Sequence, residues 1–168
     1  MIERQLAEVR LGSNILHREP VVVRGFIEDL EVTAAMEANA RGLRFTVVSL
    51  PDDVTVHADR QILTSVVSNM LQNAFKFTNP NSQVFLRAHV TADRVLIDVE
   101  DQCGGLPPGK VEELFYPYEQ RGSDRTGLGL GLSVCHRGAS VNDGSIRVLN
   151  HPGTGCVFTV DLPRLLSA

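Results

Sequence analysis

Asn69 and Asn73 stand four residues apart, and Lys76 and Phe77 follow Asn73 at three and four, all within the run D-R-Q-I-L-T-S-V-V-S-N-M-L-Q-N-A-F-K-F-T at 59–78. On a helix those four side chains share a face, because residues three and four apart lie one turn above another. Two carboxamides, an ammonium group and an aromatic ring on one face suit a polyanion that carries a flat ring. The competing reading is two surface asparagines, a solvated lysine and a core phenylalanine.

Two glycine-rich stretches compete to hold the polyanion. Gly104-Gly105-Leu106-Pro107-Pro108-Gly109-Lys110 has the outline of a G-x-x-x-x-G-K phosphate loop. That loop aims successive backbone N–H groups at phosphate, and Pro107 and Pro108 have none. Val111 also stands where a Ser or Thr hydroxyl should hold magnesium. Gly127, Gly129 and Gly131 alternate with Leu128 and Leu130 at the start of a later helix. Unpaired N–H groups and the helix dipole attract anions there, and glycine lets backbone approach a ligand closely. An ordinary flexible loop is the alternative. The pattern is not the dinucleotide G-x-G-x-x-G, because Leu132 and Ser133 occupy its last steps.

Asp101 ends a strand candidate and opens D-Q-C-G-G. A carboxylate there can accept from the exocyclic amine of adenine. Guanine would present a carbonyl oxygen instead, setting two acceptors face to face. A capping or solvent role is the common alternative for a lone Asp before a turn. The asparagine face and the second glycine stretch, one on either side in sequence, favour the purine role.

These residues need elements to position them. Asp59 is a good N-cap, and the uninterrupted run after it predicts a helix over 60–77. Ile62, Val66, Met70 and Ala74, widened by Leu63, Val67 and Leu71, form its apolar side. Ile2, Leu6, Val9, Ser13 and Leu16 form a short heptad seam, so 1–19 reads as helix until Pro20 ends it. A short strand over 21–23, a helix over 24–40 and strands over 45–50 and 54–58 follow, the last two separated by Pro51-Asp52-Asp53. Strands over 84–90 and 94–99 alternate apolar and polar residues as an antiparallel pair. Residues 110–116 read as a short helix and 118–126 as a mobile polar segment. A helix from Gly127 to about Ser140 precedes a terminal hairpin of 146–149 and 157–162, and 165–168 reads as a frayed tail.

Composition excludes several classes. The 168 residues are 43% hydrophobic and 21% charged, with a formal charge of −4, ordinary for one globular domain and wrong for a nucleic-acid surface. No apolar run is long enough to span a membrane, and no signal-peptide pattern opens the chain. Cys103, Cys135 and Cys156 are odd in number and lack C-x-x-C spacing, so neither a disulfide framework nor a zinc site is expected. A reducing, cytoplasmic setting is the default.

Taken together, the blocks resemble the catalytic ATP-binding domain of bacterial sensor histidine kinases, in the superfamily shared with gyrase B, Hsp90 and MutL. N-M-L-Q-N-A-F-K-F-T is similar to the N box, D-Q-C-G-G-L to the first glycine box and L-F-Y-P-Y-E-Q to the F box. T-G-L-G-L-G-L is similar to the second glycine box, and P-G-T-G-C-V-F-T-V-D-L-P to the closing strand pair. The resemblance covers about 20–163 and implies a two-layer α/β sandwich, a mixed β-sheet with helices on one face. It implies ATP and Mg²⁺ as ligands. Asn73 would coordinate the metal, with Asn69 and Lys76 near the phosphates and Phe77 near base or sugar. Asp101 would hold the adenine amine and Gly105 would give it room. The stretch from Phe115, packed as a hinge, through Gly127, Leu128, Gly129, Leu130 and Gly131 would form the lid. Thr154 of the closing turn falls among the nucleotide-contacting positions. Arg121 or Arg125 is the candidate cation for the γ-phosphate, against the alternative of a solvated lid charge.

By the same resemblance, 1–19 is the end of a helical dimerisation domain, 20–163 the catalytic domain and 164–168 a tail. The implied partners are a histidine-bearing dimerisation domain, a response regulator receiver domain indirectly, and a second copy through the N-terminal helix. No nucleic acid and no direct membrane contact are expected. Relatives that activate water or serine are similar to one another in a Glu four residues before the magnesium Asn. Here that position is Asn69, which has no useful basicity. Neutral imidazole needs no deprotonation, so a histidine acceptor in trans and slow hydrolysis of ATP alone are expected. His17-Arg18-Glu19-Pro20 departs from the family's phosphorylated-histidine pattern, so the chain alone should not autophosphorylate. Cys103 stands where the first glycine box usually begins its glycines, and Tyr118 replaces the commoner Phe of the F box. A degenerate non-catalytic module and a serine-directed anti-sigma kinase are the alternatives.

Overall fold

Alternation in the strands and a four-three apolar rhythm in the helices build one mixed sheet with helices against it. The computed structural model describes residues 16–51, 53–105 and 128–166. In chain order the elements are β1 (Arg18–Val22), α1 (Val23–Ala40), β2 (Arg44–Val48), β3 (Thr55–Asp59) and α2 (Arg60–Phe77). They continue with β4 (Gln83–Val90), β5 (Arg94–Glu100), α3 (Leu128–Val141), β6 (Ser145–His151) and β7 (Gly155–Leu165). The strand order is β1-β3-β7-β5-β4-β2, with β6 pairing β7. β2 runs parallel to β4 and the other pairs are antiparallel.

One face of the sheet is core. Val84, Leu86 and Ala88 of β4 and Val95, Ile97 and Val99 of β5 are buried, and they pack with Phe26, Ile27 and Leu30 of α1 and the apolar side of α2. The opposite face is polar, as an antiparallel sheet wetted on one side requires. Across it Arg87 pairs with Glu100, His89 with Asp98 (2.9 Å) and Arg94 with Asp161 (2.7 Å), while Thr159 donates to Asp98 (2.7 Å). The expected mixed sheet with helices is therefore the fold observed.

Several expected elements differ. The heptad seam before Leu16, the helix at 110–116 and the segment 118–126 fall outside the described residues. Arg18 and Glu19 are not helical. They begin β1, where Pro20 sits opposite His57, an edge position that tolerates a residue without an N–H. The runs around Pro51 do not pair with each other: β2 joins β4, and β3 joins β1 and β7. Leu165 is not frayed but lies opposite Thr55 at the end of β7.

The N-terminus of α2 is fixed by one residue. Asp59, 1% exposed, accepts from the Ile62 N–H (3.1 Å) through Oδ1 and from the His17 N–H (3.0 Å) through Oδ2. Its own N–H donates to Asn142 Oδ1 (2.8 Å), whose Nδ2 donates to Gly138 O (2.9 Å). Asp59→Ala removes the acceptor for one buried and one part-buried donor and should lower unfolding stability by about 2 kcal/mol, read from urea denaturation. Asp59→Asn should retain most of it.

Candidate functional site

All seven residues expected on the apolar side of α2 are buried. With 100° of turn per residue, Asn69, Asn73 and Lys76 flank that stripe on one side, and Ser68, Gln72 and Phe75 on the other. Asn69 is 6% exposed, Asn73 half-buried and Lys76 exposed. Phe77 is 38% exposed, so it is not a core phenylalanine. The Lys76 ammonium lies 5.2 Å from the centre of its ring. The Nδ2 atoms of Asn69 and Asn73 are both buried and have no hydrogen-bond partner among the described residues. Folded proteins leave few such atoms, because each costs about 1–3 kcal/mol.

What lies along that edge is α3. Ile62, Val66, Asn69 and Asn73 succeed one another at four, three and four residues, a single seam. α3 packs on its first half: a Cβ on Gly138 would meet Val66 Cγ2 at 2.5 Å and Ile62 Cγ2 at 3.1 Å, and the Cys135 thiol donates to Val66 O (3.4 Å). Asn142 at the end of α3 meets Asp59 at the start of α2, so the helices are antiparallel. At 1.5 Å of rise per residue, the first turn of α3, residues 128–131, comes level with Asn73. Leu128, Gly129, Leu130 and Gly131 thus begin α3 beside the unpaired carboxamides. Gly127, Phe115 and Arg121 lie outside the described residues.

Asp101 lies just past β5 and is 5% exposed. Its Oδ1 accepts from the N–H groups of Cys103 (3.2 Å) and Cys156 (3.1 Å), and its own N–H donates to Cys156 O (3.0 Å). One oxygen is thereby fixed and the other remains an acceptor. The next residue ties this strand end to α2: Gln102 N–H donates to Thr78 Oγ1 (3.0 Å), and Asn79 N–H donates to Gln102 O (3.1 Å). Asp101 and the end of α2 that carries Asn73 and Lys76 are therefore joined through one residue on each side.

The closing turn holds Asp101 from behind. A Cβ on Gly155 would fall 2.1 Å from Asp101 O, so only glycine permits the approach. Gly155→Ala should cost about 1–3 kcal/mol in thermal unfolding and weaken nucleotide binding with it. Gly105 has φ +98°, and a Cβ there would crowd Asn150 Oδ1, His151 O and Pro152 Cα at 3.2 Å each. Its glycine is thus required by the turn. Thr154 is exposed, and its carbonyl accepts from Gly104 N–H (3.0 Å).

Cys156, which the sequence does not single out as a site residue, lies against Asp101. Cys103 and Cys156 bring their sulfurs to 3.8 Å, and both lie with an Asp101 oxygen within 4.8 Å of one another. Burial, then the neighbouring Asp101 carboxylate, pushes the Cys103 thiol above its ordinary range. The place of Cys156 follows from the strand register, in which Glu100 opposite Val157 puts Asp101 opposite Cys156, and no local sequence pattern carries that pairing.

A cavity of about 270 Å³ lies elsewhere, between α1 and α2, lined among others by Phe26, Asp29, Arg60, Ser68, Gln72 and Phe75. It holds none of the candidate nucleotide-site residues.

The fold places the chain in the class of α/β-sandwich ATP-binding domains. Residues 58–166 match the family described as histidine kinase-, DNA gyrase B-, and HSP90-like ATPases. The chain belongs to that family. Sensor protein KdpD of Escherichia coli K12 is 30% identical over 171 residues, which take in 95% of this chain and 19% of that protein. Histidine protein kinase DivJ of Caulobacter vibrioides is 35% identical over 153 residues, 86% of this chain and 26% of that protein. The chain thus spans only about a fifth to a quarter of these curated relatives. Among solved structures, full-length ShkA in complex with AMPPNP is 26% identical with a TM-score of 0.83, covering 99% of this chain and 36% of that one. The catalytic domain of histidine kinase ThkA, nucleotide-free and 23% identical, shares the fold with a TM-score of 0.78 over 89% of this chain and 98% of its own. No helix among the described residues is long and apolar enough to cross a membrane.

Proposed function

We propose that this chain is the ATP-binding catalytic domain of a two-component sensor histidine kinase, which passes the γ-phosphoryl group of ATP to a histidine on a separate dimerisation domain. One observation carries the reading: two buried amide nitrogens, of Asn69 and Asn73, without a hydrogen-bond partner among the described residues, on one seam of α2 with the first turn of α3 beside them. Triphosphate answers both, since it accepts from free amide and helix N–H groups. The names of KdpD, DivJ and ShkA, the last described with AMPPNP, support the same assignment.

The donor set fits magnesium. Asn73 offers a carboxamide oxygen, a hard ligand, and a half-turn of its amide exchanges the orphaned nitrogen for that oxygen. Bound there, Mg²⁺ supplies neutralisation of phosphate charge. The chain's own residues orient the rest. Asn69 and Lys76 steady the phosphates, Asp101 accepts from the adenine amine, and Phe77 covers base or sugar. Phe115, Arg121 and Gly127 belong to the proposed lid.

Asn69 cannot take a proton from water, so ATP alone turns over slowly. Neutral imidazole attacks without a base. The residues before Arg18 are assigned to the end of the helical dimerisation domain and could pair two copies; a receiver domain then takes the phosphoryl group from histidine. The setting is cytoplasmic.

The test mixes the chain with γ-phosphate-labelled ATP, Mg²⁺ and a sensor-kinase dimerisation domain carrying its acceptor histidine. Acid-labile, alkali-stable label on that partner supports the assignment. Acid-stable label would instead show a serine-directed kinase, and failure to bind ATP a degenerate module.

A further inference from the structure

We infer that Cys103 and Cys156 form a reversible disulfide that releases nucleotide, a modification site built into the support of Asp101. The inference rests on the ATP-site reading above. Their sulfurs already lie 3.8 Å apart, and a disulfide needs about 2.05 Å. The remaining approach is therefore less than about 2 Å. Cys103 is half-buried and open to a small reagent, whereas Cys156 is 1% exposed. Cys135, 0% exposed and donating to Val66 O, is outside the pair.

The cross-link acts on the purine because of what the two residues already do. Both donate their backbone N–H to the same oxygen of Asp101, at 3.2 and 3.1 Å. Drawing the sulfurs together moves those donors and turns the carboxylate away from the adenine amine. A bound metal is the less suitable occupant. Among the described residues the one further His, Cys, Asp or Glu ligand of the cluster is Asp101, and one of its oxygens is already held by two N–H groups.

The oxidant is a low-molecular-weight disulfide. The Cys103 thiolate attacks one of its sulfurs and expels one thiolate, giving a mixed disulfide. The Cys156 thiolate then attacks Cys103 Sγ and expels the second. Two protein thiols lose two electrons and two protons, and the reagent leaves as two thiols. The raised Cys103 thiol makes the first attack faster as pH rises through its ionisation.

The experiment treats the full chain with oxidised glutathione, then reads intact mass, the cross-linked peptide and the affinity for a fluorescent ATP analogue. Support is loss of two hydrogens, a Cys103–Cys156 peptide, and affinity falling about tenfold and restored by dithiothreitol. Cys103→Ser should make affinity indifferent to oxidant, whatever its starting value, and Cys156→Ser should stop at the mixed disulfide, read as one added glutathione on Cys103. A link involving Cys135, links only between chains, zinc retained on the thiols as purified, or a Cys103–Cys156 link with unchanged affinity would overturn it. Should the reduced chain not bind the analogue at all, the ATP reading fails instead, and the mass still reports on the link.

Discussion

Asn73→Ala is expected to lower magnesium-dependent ATP affinity at least about a hundredfold while leaving the fold as stable as before. A structural asparagine would behave differently, since removing a satisfied buried amide costs about 1–3 kcal/mol. Here the Nδ2 atom has no partner among the described residues. An apolar replacement therefore relieves a desolvation penalty, and the unfolding midpoint should stay level or rise. Loss of binding without loss of stability, read by calorimetry and urea denaturation on one preparation, separates a ligand residue from a packing residue. A variant that unfolds more easily and binds normally would contradict the assignment.

The second large effect is expected at Asp101. Asp101→Asn should weaken ATP binding about tenfold to a hundredfold and improve binding of GTP relative to ATP. The direction follows from the two backbone donors on Oδ1. The N–H groups of Cys103 and Cys156 require an acceptor on that side, so the new carboxamide keeps its oxygen there. Its NH₂ group then occupies the position of the second carboxylate oxygen. Set against the adenine amine it opposes donor to donor, and set against the guanine carbonyl it pairs. Titration with both nucleotides checks this; equal losses for ATP and GTP would show Asp101 to be structural only.

Local patterns were legible because their causes are local. The Asp59 cap, the apolar side of α2, the β4–β5 pair and the β6–β7 hairpin each depend on neighbours in sequence, and each is present. Long-range pairing was not. Pro51-Asp52-Asp53 has the composition of a hairpin turn, yet β2 lies parallel to β4, a partner that α2 and 34 or more residues of chain separate from it. Pro20 was read as the residue that stops a helix, but it sits within edge strand β1 because an edge needs no N–H there. The site divides the same way. The Asn69–Asn73 spacing shows the face, while the nearness of Cys103 to Cys156 depends on the β5–β7 register, which composition does not contain.

A cavity on one side of α2 and two unpartnered amide nitrogens on the other make the central claim easy to test. Magnesium–ATP titrated into isotopically labelled protein should shift the side-chain amides of Asn69 and Asn73, the backbone amides of residues 128–131 and those of Asp101, Cys103 and Cys156 with one affinity. Phe26, Gln72 and Phe75, which line the cavity between α1 and α2, should hold still. If the shifts gather on those residues and leave Asn73 and Asp101 in place, nucleotide binds on the other side of the helix and the account is wrong.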